Sequence, residues 1–207
     1  MTKIDAAIIR TDLTMKLGFF GGTFDPVHIG HLIIAEWART ALELEKIVFM
    51  PAGDPPHKSN SQITPVRHRL AMVELAVADN LHFAVADFEA KKSGKSYTVE
   101  TLRHLRQQYG DVAQLYWLIG SDSLLDLPNW YQPKEIFRLA QIVVYPRPGF
   151  PVKAANPNFR RQTLQLDAPE MNFSANQIRQ RVRLGQSIRY LIPPVVAQYI
   201  DDNALYR

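Results

Sequence analysis

The stretch Leu17-Gly-Phe-Phe-Gly-Gly-Thr-Phe-Asp-Pro-Val-His-Ile-Gly-His31, running on into residues 32–44, decides how this chain folds. An apolar segment breaks at Gly21-Gly22, turns at Asp25-Pro26 and restarts with helical spacing near Val27. Strand, glycine loop and helix in that order aim backbone amides at an anion such as a phosphate. His28 and His31 stand three apart at the helix start, so their side chains share one face beside whatever the amides hold. The pattern lacks the Gly-Lys-Ser/Thr of a Walker loop and the third glycine of the dinucleotide fingerprint. A zinc site is weakly supported, because no third ligand is marked and the spacing is not that of the zinc-protease helix.

Outward from that stretch, residues 15–20 form a short apolar strand of the kind buried on both faces, and a helix is expected over 27–45. A second strand over 46–51 completes a right-handed parallel unit. Residues 53–60 are a loop by composition, beyond the carboxyl end of that strand, where open α/β sheets keep their ligands. A helix over 64–79 should have Thr64 as N-cap and Pro65 at its first position, with Val66, Leu70, Val73 and Val77 inward. A strand over 81–87 and a charged turn over 89–95 follow. The next helix spans 97–109, ended by Gly110, and an apolar strand over 114–119 ends at Gly120-Ser-Asp122. A helical turn over 124–127, a loop over 128–133 leading a helix to 138, and a strand over 141–145 come next. Residues 150–161 have the composition of a surface linker, and 163–166 suits a short sixth strand. Helices over 174–184 and 193–203 close the chain. The alternation argues a doubly wound parallel sheet. Residues 1–14 are expected to be an extension of unknown role, and 15–207 a single domain.

Composition narrows the function classes. The chain has 207 residues, 46% of them hydrophobic, enough for one domain with a sizeable core. A net charge of +4 suits anionic small ligands and is too diffuse for a nucleic-acid footprint. No cysteine is present, which excludes disulfides, thiolate metal sites and cysteine nucleophiles and agrees with a cytoplasmic location. No apolar run approaches membrane-spanning length, and no partner protein or oligomeric state is indicated.

The run His28-Ile-Gly30-His31 is similar to the H-x-G-H signature of nucleotidylyltransferases, and that resemblance implies transfer of a nucleotidyl group between phosphates. A phosphate monoester with a second pKa of ~6 is already ionised at neutral pH, so such a reaction needs alignment and charge neutralisation rather than a strong base. Thr23, His28, His31, Lys58 and Arg179 are the donors and cations available, the histidines with pKa values lowered by the helix dipole. Ser174 and Gln177 fit a capping box, a structural role in itself, and Arg179 beside that positive helix end favours an anion. As an isolated aromatic pair, Trp130-Tyr131 caps a core, but beyond the Gly120-Ser-Asp122 edge an indole also offers a stacking surface for a flat ring. Asp122 suits either a ribose hydroxyl or a helix cap, His57-Lys58 either a phosphate or an exposed loop, and Trp117 the core.

Gly21-Gly22-Thr-Phe-Asp-Pro-Val-His28-Ile-Gly30-His31, Pro55-Pro-His57-Lys58, Ser96-Tyr-Thr98-Val-Glu-Thr101-Leu, Ile119-Gly120-Ser-Asp122-Ser, Trp130-Tyr131 and Phe173-Ser-Ala-Asn-Gln-Ile-Arg179 together resemble the bacterial nicotinate mononucleotide adenylyltransferases. The resemblance covers essentially all of residues 15–207. Its first motif, H-x-G-H, specifies only the nucleotidylyltransferase superfamily, and the middle motifs carry the substrate. It implies a Rossmann-like fold of five to six strands with a small helical C-terminal part. It also implies adenylyl transfer from ATP to nicotinate mononucleotide, giving deamido-NAD and pyrophosphate in NAD biosynthesis. Mg²⁺ would ride on the ATP phosphates, with no metal held directly by protein. His28, His31 and Arg179 would be catalytic, and Gly22, Thr23, Phe24, Gly120, Asp122 and Ser174 would join them around ATP. His57, Lys58, Thr98, Asp122, Trp130, Tyr131 and Arg147 would bind the mononucleotide, with Trp130 stacked on the pyridine and the Thr98 amide and Tyr131 on its carboxylate. Ala175 and Asn176 replace two hydroxyl residues of the family pattern. The alternatives are adenylyl transfer to phosphopantetheine, cytidylyl transfer to an alcohol phosphate, or a nucleotide-binding regulator without turnover.

Overall fold

Strand β1, Met15–Gly22, is the apolar run before the glycine loop, and it lies at the centre of the molecule. The computed structural model describes residues 15–55 and 63–207. β1 pairs in parallel with β2, Lys46–Pro51, on one side and with β4, Ala113–Gly120, on the other. Beyond β2 lies the short edge strand β3, Phe83–Val85, and beyond β4 lie β5, Gln141–Tyr145, and β6, Thr163–Gln165. The order β3-β2-β1-β4-β5-β6, all parallel, is the doubly wound arrangement expected, with its reversal point between β1 and β4.

Because side chains alternate along a strand, β1 feeds two cores. Phe20 faces the layer under α1, Ile29–Ala41, α2, Val66–Val77, and the C-terminal helices α8, Ala175–Arg183, and α9, Pro194–Asp202. Leu17 and Phe19 face the layer under α4, Thr98–Tyr109, where Trp117 is buried as expected.

Several boundaries differ from the sequence-based expectation. Helix α1 starts at Ile29 rather than 27, because His28 takes the extended N-cap position, and it ends at Ala41 rather than 45. Glu43 turns left-handed at φ +54, which drops Leu44 into the core. Thr64 is not the cap of α2: its N–H donates to Asp25 and its carbonyl accepts from Arg69, so Pro65 takes the N-cap. The inward stripe of that helix is Arg69, Met72, Val73, Ala76 and Val77. Leu81, the first residue of the strand expected over 81–87, is 89% exposed and lies outside β3, since only three residues find partners on β2. The charged turn over 89–95 begins as a helical turn, α3, Phe88–Lys91, and Glu89 is buried because Thr101 Oγ1 donates to its carboxyl at 2.6 Å.

On the β4 side, α5, Ser121–Asp126, begins directly after the strand, and α6, Pro133–Leu139, precedes β5. The segment read as a surface linker instead packs: α7, Pro157–Arg160, stacks Phe159 on Phe137 at 5.6 Å, and Ala155 joins the core. The proposed extension over 1–14 lies outside the described residues.

Candidate active site

The glycine loop leaves β1 at Gly22, carries Phe24 at φ +47 and a cis Asp25-Pro26 peptide, and enters α1 through His28. The His28 backbone N–H donates to His31 Nδ1 at 3.1 Å, and the two rings stack at 3.6 Å, 19° from parallel. Accepting through Nδ1 leaves the proton of neutral His31 on Nε2. A side chain at Gly30 would crowd the His28 ring, its Cβ falling 3.1 Å from Nδ1, so the ring would have to give by a few tenths of an ångström. His28 is 8% exposed, and its pKa is pushed down to about 4, first by burial, then by the charge of Arg147, against its own backbone hydrogen bond. It is a neutral ring at pH 7. The direction matches the expectation, and the causes are burial first and then the charge of Arg147. Nor are all α1 amides directed at a ligand: the Ile29 N–H donates to the Leu191 carbonyl at 3.0 Å.

These histidines line a cavity of about 410 Å³ at the carboxyl edge of β1 and β4. The glycine loop forms its floor, Asp122, Tyr145 and Arg147 one wall, and Ser174 to Asn176 with Arg179 the other. Arg179 is fixed at two points, its Nη1 donating to the Asp25 carbonyl at 2.7 Å and its Nη2 to Asn176 Oδ1 at 3.1 Å. Asn176, one of the two departures from the family pattern, thus holds that arginine. Ser174 is the N-cap of α8 in the expected capping box: its hydroxyl accepts from Gln177 N–H at 3.4 Å, and Gln177 Oε1 from Ser174 N–H at 2.8 Å.

Asp122 sits in the first turn of α5, whose N-cap is Gly120, so it is not the cap. Its Oδ2 lies 3.6 Å from Arg147 Nε, and a side chain at Gly120 would collide with both residues. Arg147, expected on the mononucleotide side, stands instead in the histidine cavity; its N–H is held by Ser121 Oγ at 2.9 Å. The phenol of Tyr145, beside it, is pushed up to about 12 by burial and the Asp122 charge, against Arg147.

A second cavity of about 210 Å³ adjoins the first, and Gly21 to Thr23 with Pro55 and Ser123 line both. Its other walls are Tyr97, Thr98, Trp130 and Tyr131. The N-cap of α4, Tyr97, makes no side-chain cap hydrogen bond to the helix start at Thr98. Tyr131 packs on Tyr97 at 5.1 Å and is 49% exposed, and Trp130 Nε1 donates to Asp126 Oδ2 at 3.2 Å, which fixes the indole. Ser96 Oγ accepts from the Gly53 and Asp54 amides at 3.1 and 3.4 Å, tying the loop after β2 to this wall. His57 and Lys58 lie outside the described residues.

Three residues around the site escape sequence reasoning. Arg69, 1% exposed, donates to the carbonyls of Thr64, Thr23 and Gly53 at 2.8, 2.7 and 3.1 Å. Its signal was available, an arginine on the apolar stripe of an amphipathic helix. Glu89, whose carboxyl is raised by burial, and Tyr206, which donates to Asp25, carry no local pattern.

Comparison with known proteins agrees with this arrangement. The model of the cytidylyltransferase-like family matches residues 19–181. The probable nicotinate-nucleotide adenylyltransferase of Thermomicrobium roseum is 46% identical over 197 residues, covering 93% of this chain and 92% of the relative. That of Salinibacter ruber is 42% identical over 193 residues, with 93% and 98% covered. The same fold occurs in Plasmodium falciparum nicotinic acid mononucleotide adenylyltransferase complexed with NaAD, at a TM-score of 0.76 and 17% identity, over 93% of this chain and 97% of that one.

Proposed function

This chain belongs to the cytidylyltransferase-like family, and within it to the nicotinate-nucleotide adenylyltransferases, and on that premise we propose that it joins the AMP part of ATP to nicotinate mononucleotide in NAD biosynthesis. A phosphate oxygen of the mononucleotide attacks the α-phosphorus of ATP as the bond to the bridging oxygen of pyrophosphate breaks. The products are deamido-NAD and pyrophosphate.

The observation that carries this assignment is the meeting of two cavities at Gly21 to Thr23. An acceptor phosphate entering from the aromatic cavity arrives beside an α-phosphate lying under the histidines, which is the alignment an in-line displacement needs. His31 Nε2 and His28 supply neutral donors where negative charge builds, and Arg179 takes the β- and γ-phosphates of the leaving group. Gly22, Thr23 and Phe24 cradle the phosphates, while Gly120 keeps the edge open for Asp122 to accept from a ribose hydroxyl. Arg147 adds positive charge to the histidine cavity, and Ser174 orders the α8 N-terminus that presents Arg179. In the aromatic cavity Trp130 stacks on the pyridine, and the Thr98 amide and Tyr131 meet its carboxylate; His57 and Lys58 complete the acceptor side.

Enzymes of this family generally use a divalent metal, here taken to be Mg²⁺. Among the described residues no group of three or more His, Cys, Asp or Glu is placed to hold a metal, and both Asp25 oxygens already accept hydrogen bonds. Carried on ATP phosphate oxygens in the cavity that Asp122 lines, such a cation would neutralise phosphate charge. No helix among the described residues is long and apolar enough to cross a membrane, and we place the enzyme in the cytoplasm.

Purified protein given ATP, Mg²⁺ and nicotinate mononucleotide should form deamido-NAD and pyrophosphate in equal amounts, with no ATP–pyrophosphate exchange before acceptor is added. Formation of ADP, or exchange without acceptor, would contradict a single displacement at the α-phosphorus.

A further inference from the structure

Behind the glycine loop, side chains that the mechanism does not use converge on Asp25, which is 4% exposed. Its carboxylate is held from two sides: Tyr206 Oη donates to Oδ1 at 2.7 Å, and the Thr64 N–H donates to Oδ2 at 3.2 Å. Its main-chain carbonyl is the oxygen that accepts from Arg179 Nη1. One residue therefore anchors Arg179 through its backbone and the end of the chain through its side chain.

The C-terminal turn is bent to reach this point. Ala204 and Tyr206 both adopt left-handed backbone, φ +49 and +65, which L side chains rarely take, and the Leu205 N–H closes onto the Ile200 carbonyl at 3.0 Å. The phenol also lies 4.0 Å from Met72 Sδ on α2. Burial and the Asp25 charge hold the Tyr206 hydroxyl well above the usual phenol range, so it stays a donor.

We propose that Tyr206 is a positioning residue for the grip on the β- and γ-phosphates of ATP: by fixing Asp25 it sets where Arg179 stands in the histidine cavity. The identity of that anion rests on the adenylyl-transfer function proposed above. Removing the hydroxyl keeps the ring in place but frees one carboxylate oxygen, and the loop that carries Arg179's partner carbonyl gains freedom. The loss then falls on the phosphate end of ATP. The pyridine wall, built by α4 and by Trp130 and Tyr131, is unaffected.

The test is calorimetric binding of a non-cleavable α,β-methylene ATP analogue with Mg²⁺ to the full-length wild type, Tyr206→Phe, Arg179→Ala and the double variant. Tyr206→Phe should weaken analogue binding by about fivefold to tenfold, with affinity for nicotinate mononucleotide unchanged. The double variant should bind within about twofold of Arg179→Ala, because the two act as one unit. Wild-type affinity in Tyr206→Phe, or a double variant that loses the product of both factors, would overturn the proposal, the second by reducing Tyr206 to a structural prop. A wild type that binds the analogue yet makes no deamido-NAD would contradict the function and leave this coupling standing.

Discussion

At the scale of single residues, His28 and His31, three apart in sequence and stacked ring on ring, differ in what surrounds them. His28 is neutral because burial, then Arg147, pushes its pKa down to about 4 from an ordinary 6.5. Below pH 6.5 the unfolded chain takes up a proton that the folded chain refuses until about pH 4. Folding stability therefore falls as pH drops through that window, by about 3 kcal/mol in all, and is fully present above it. Urea unfolding of wild type and His28→Asn from pH 4 to 7.5 should show the wild type losing about that much more than the variant; parallel curves would contradict the buried neutral ring. His31 accepts from the His28 N–H through Nδ1, and in the proposed mechanism its Nε2 is the donor in the reaction. His31→Ala should lower kcat by about 10²-fold or more while circular dichroism and Tm stay near wild type. Near-normal kcat would remove His31 from the transition state. Both histidines were legible in the sequence from their spacing at a helix start, whereas the pKa shift of His28 depends first on burial and then on Arg147, both set by parts of the chain distant from it.

At the scale of elements, α2 shows how a helix can serve the site without touching it. Arg69 gathers carbonyls from the loops after β1 and β2 and from its own entry, and so joins the parts that line both cavities. Its charge is buried among those acceptors, with Asp25 opposing the downward pull of desolvation on its pKa. Arg69→Ala leaves three carbonyls to find new partners and should cost about 3–5 kcal/mol in chemical denaturation. Arg69→Met restores the apolar bulk but not the bonds, and should recover little. A loss below about 1 kcal/mol in either variant would mean these bonds are dispensable. The helix was legible in its periodicity, but Thr64 as its cap was not borne out, because both its backbone groups serve Asp25 and Arg69. Strand β3 was overdrawn for a related reason: alternation at Leu81 suggests burial, yet an edge strand pairs only where its neighbour extends, and Leu81 lies beyond it. Residues 150–161 looked polar enough for a linker, but Ala155 and Phe159 are enough to seat them on the core.

At the scale of the molecule, sheet order and site are one fact. The reversal between β1 and β4 opens the crevice at the carboxyl edge, the glycine loop fills its base, and the loops after β4 and β5 and the start of α8 build its walls. The parallel sheet, its six strands and the glycine loop were readable because each rests on local patterns: apolar runs, glycine breaks and helical spacing. The partition of residues between the two cavities was not, since it depends on which loops meet; Arg147 is the clearest case, placed beside Asp122 and His28 rather than the aromatic wall. The proposed acceptor choice turns on the aromatic cavity, where the N-cap Tyr97 gives α4 no side-chain cap and an anion would gain more from a helix N-terminus than a neutral amide would. Initial rates of pyrophosphate release with ATP and nicotinate mononucleotide, nicotinamide mononucleotide or phosphopantetheine test this most directly. The nicotinate form should exceed the nicotinamide form by about tenfold or more in kcat/KM, with no release from phosphopantetheine. Equal or reversed preference, or no release with any acceptor, would contradict it.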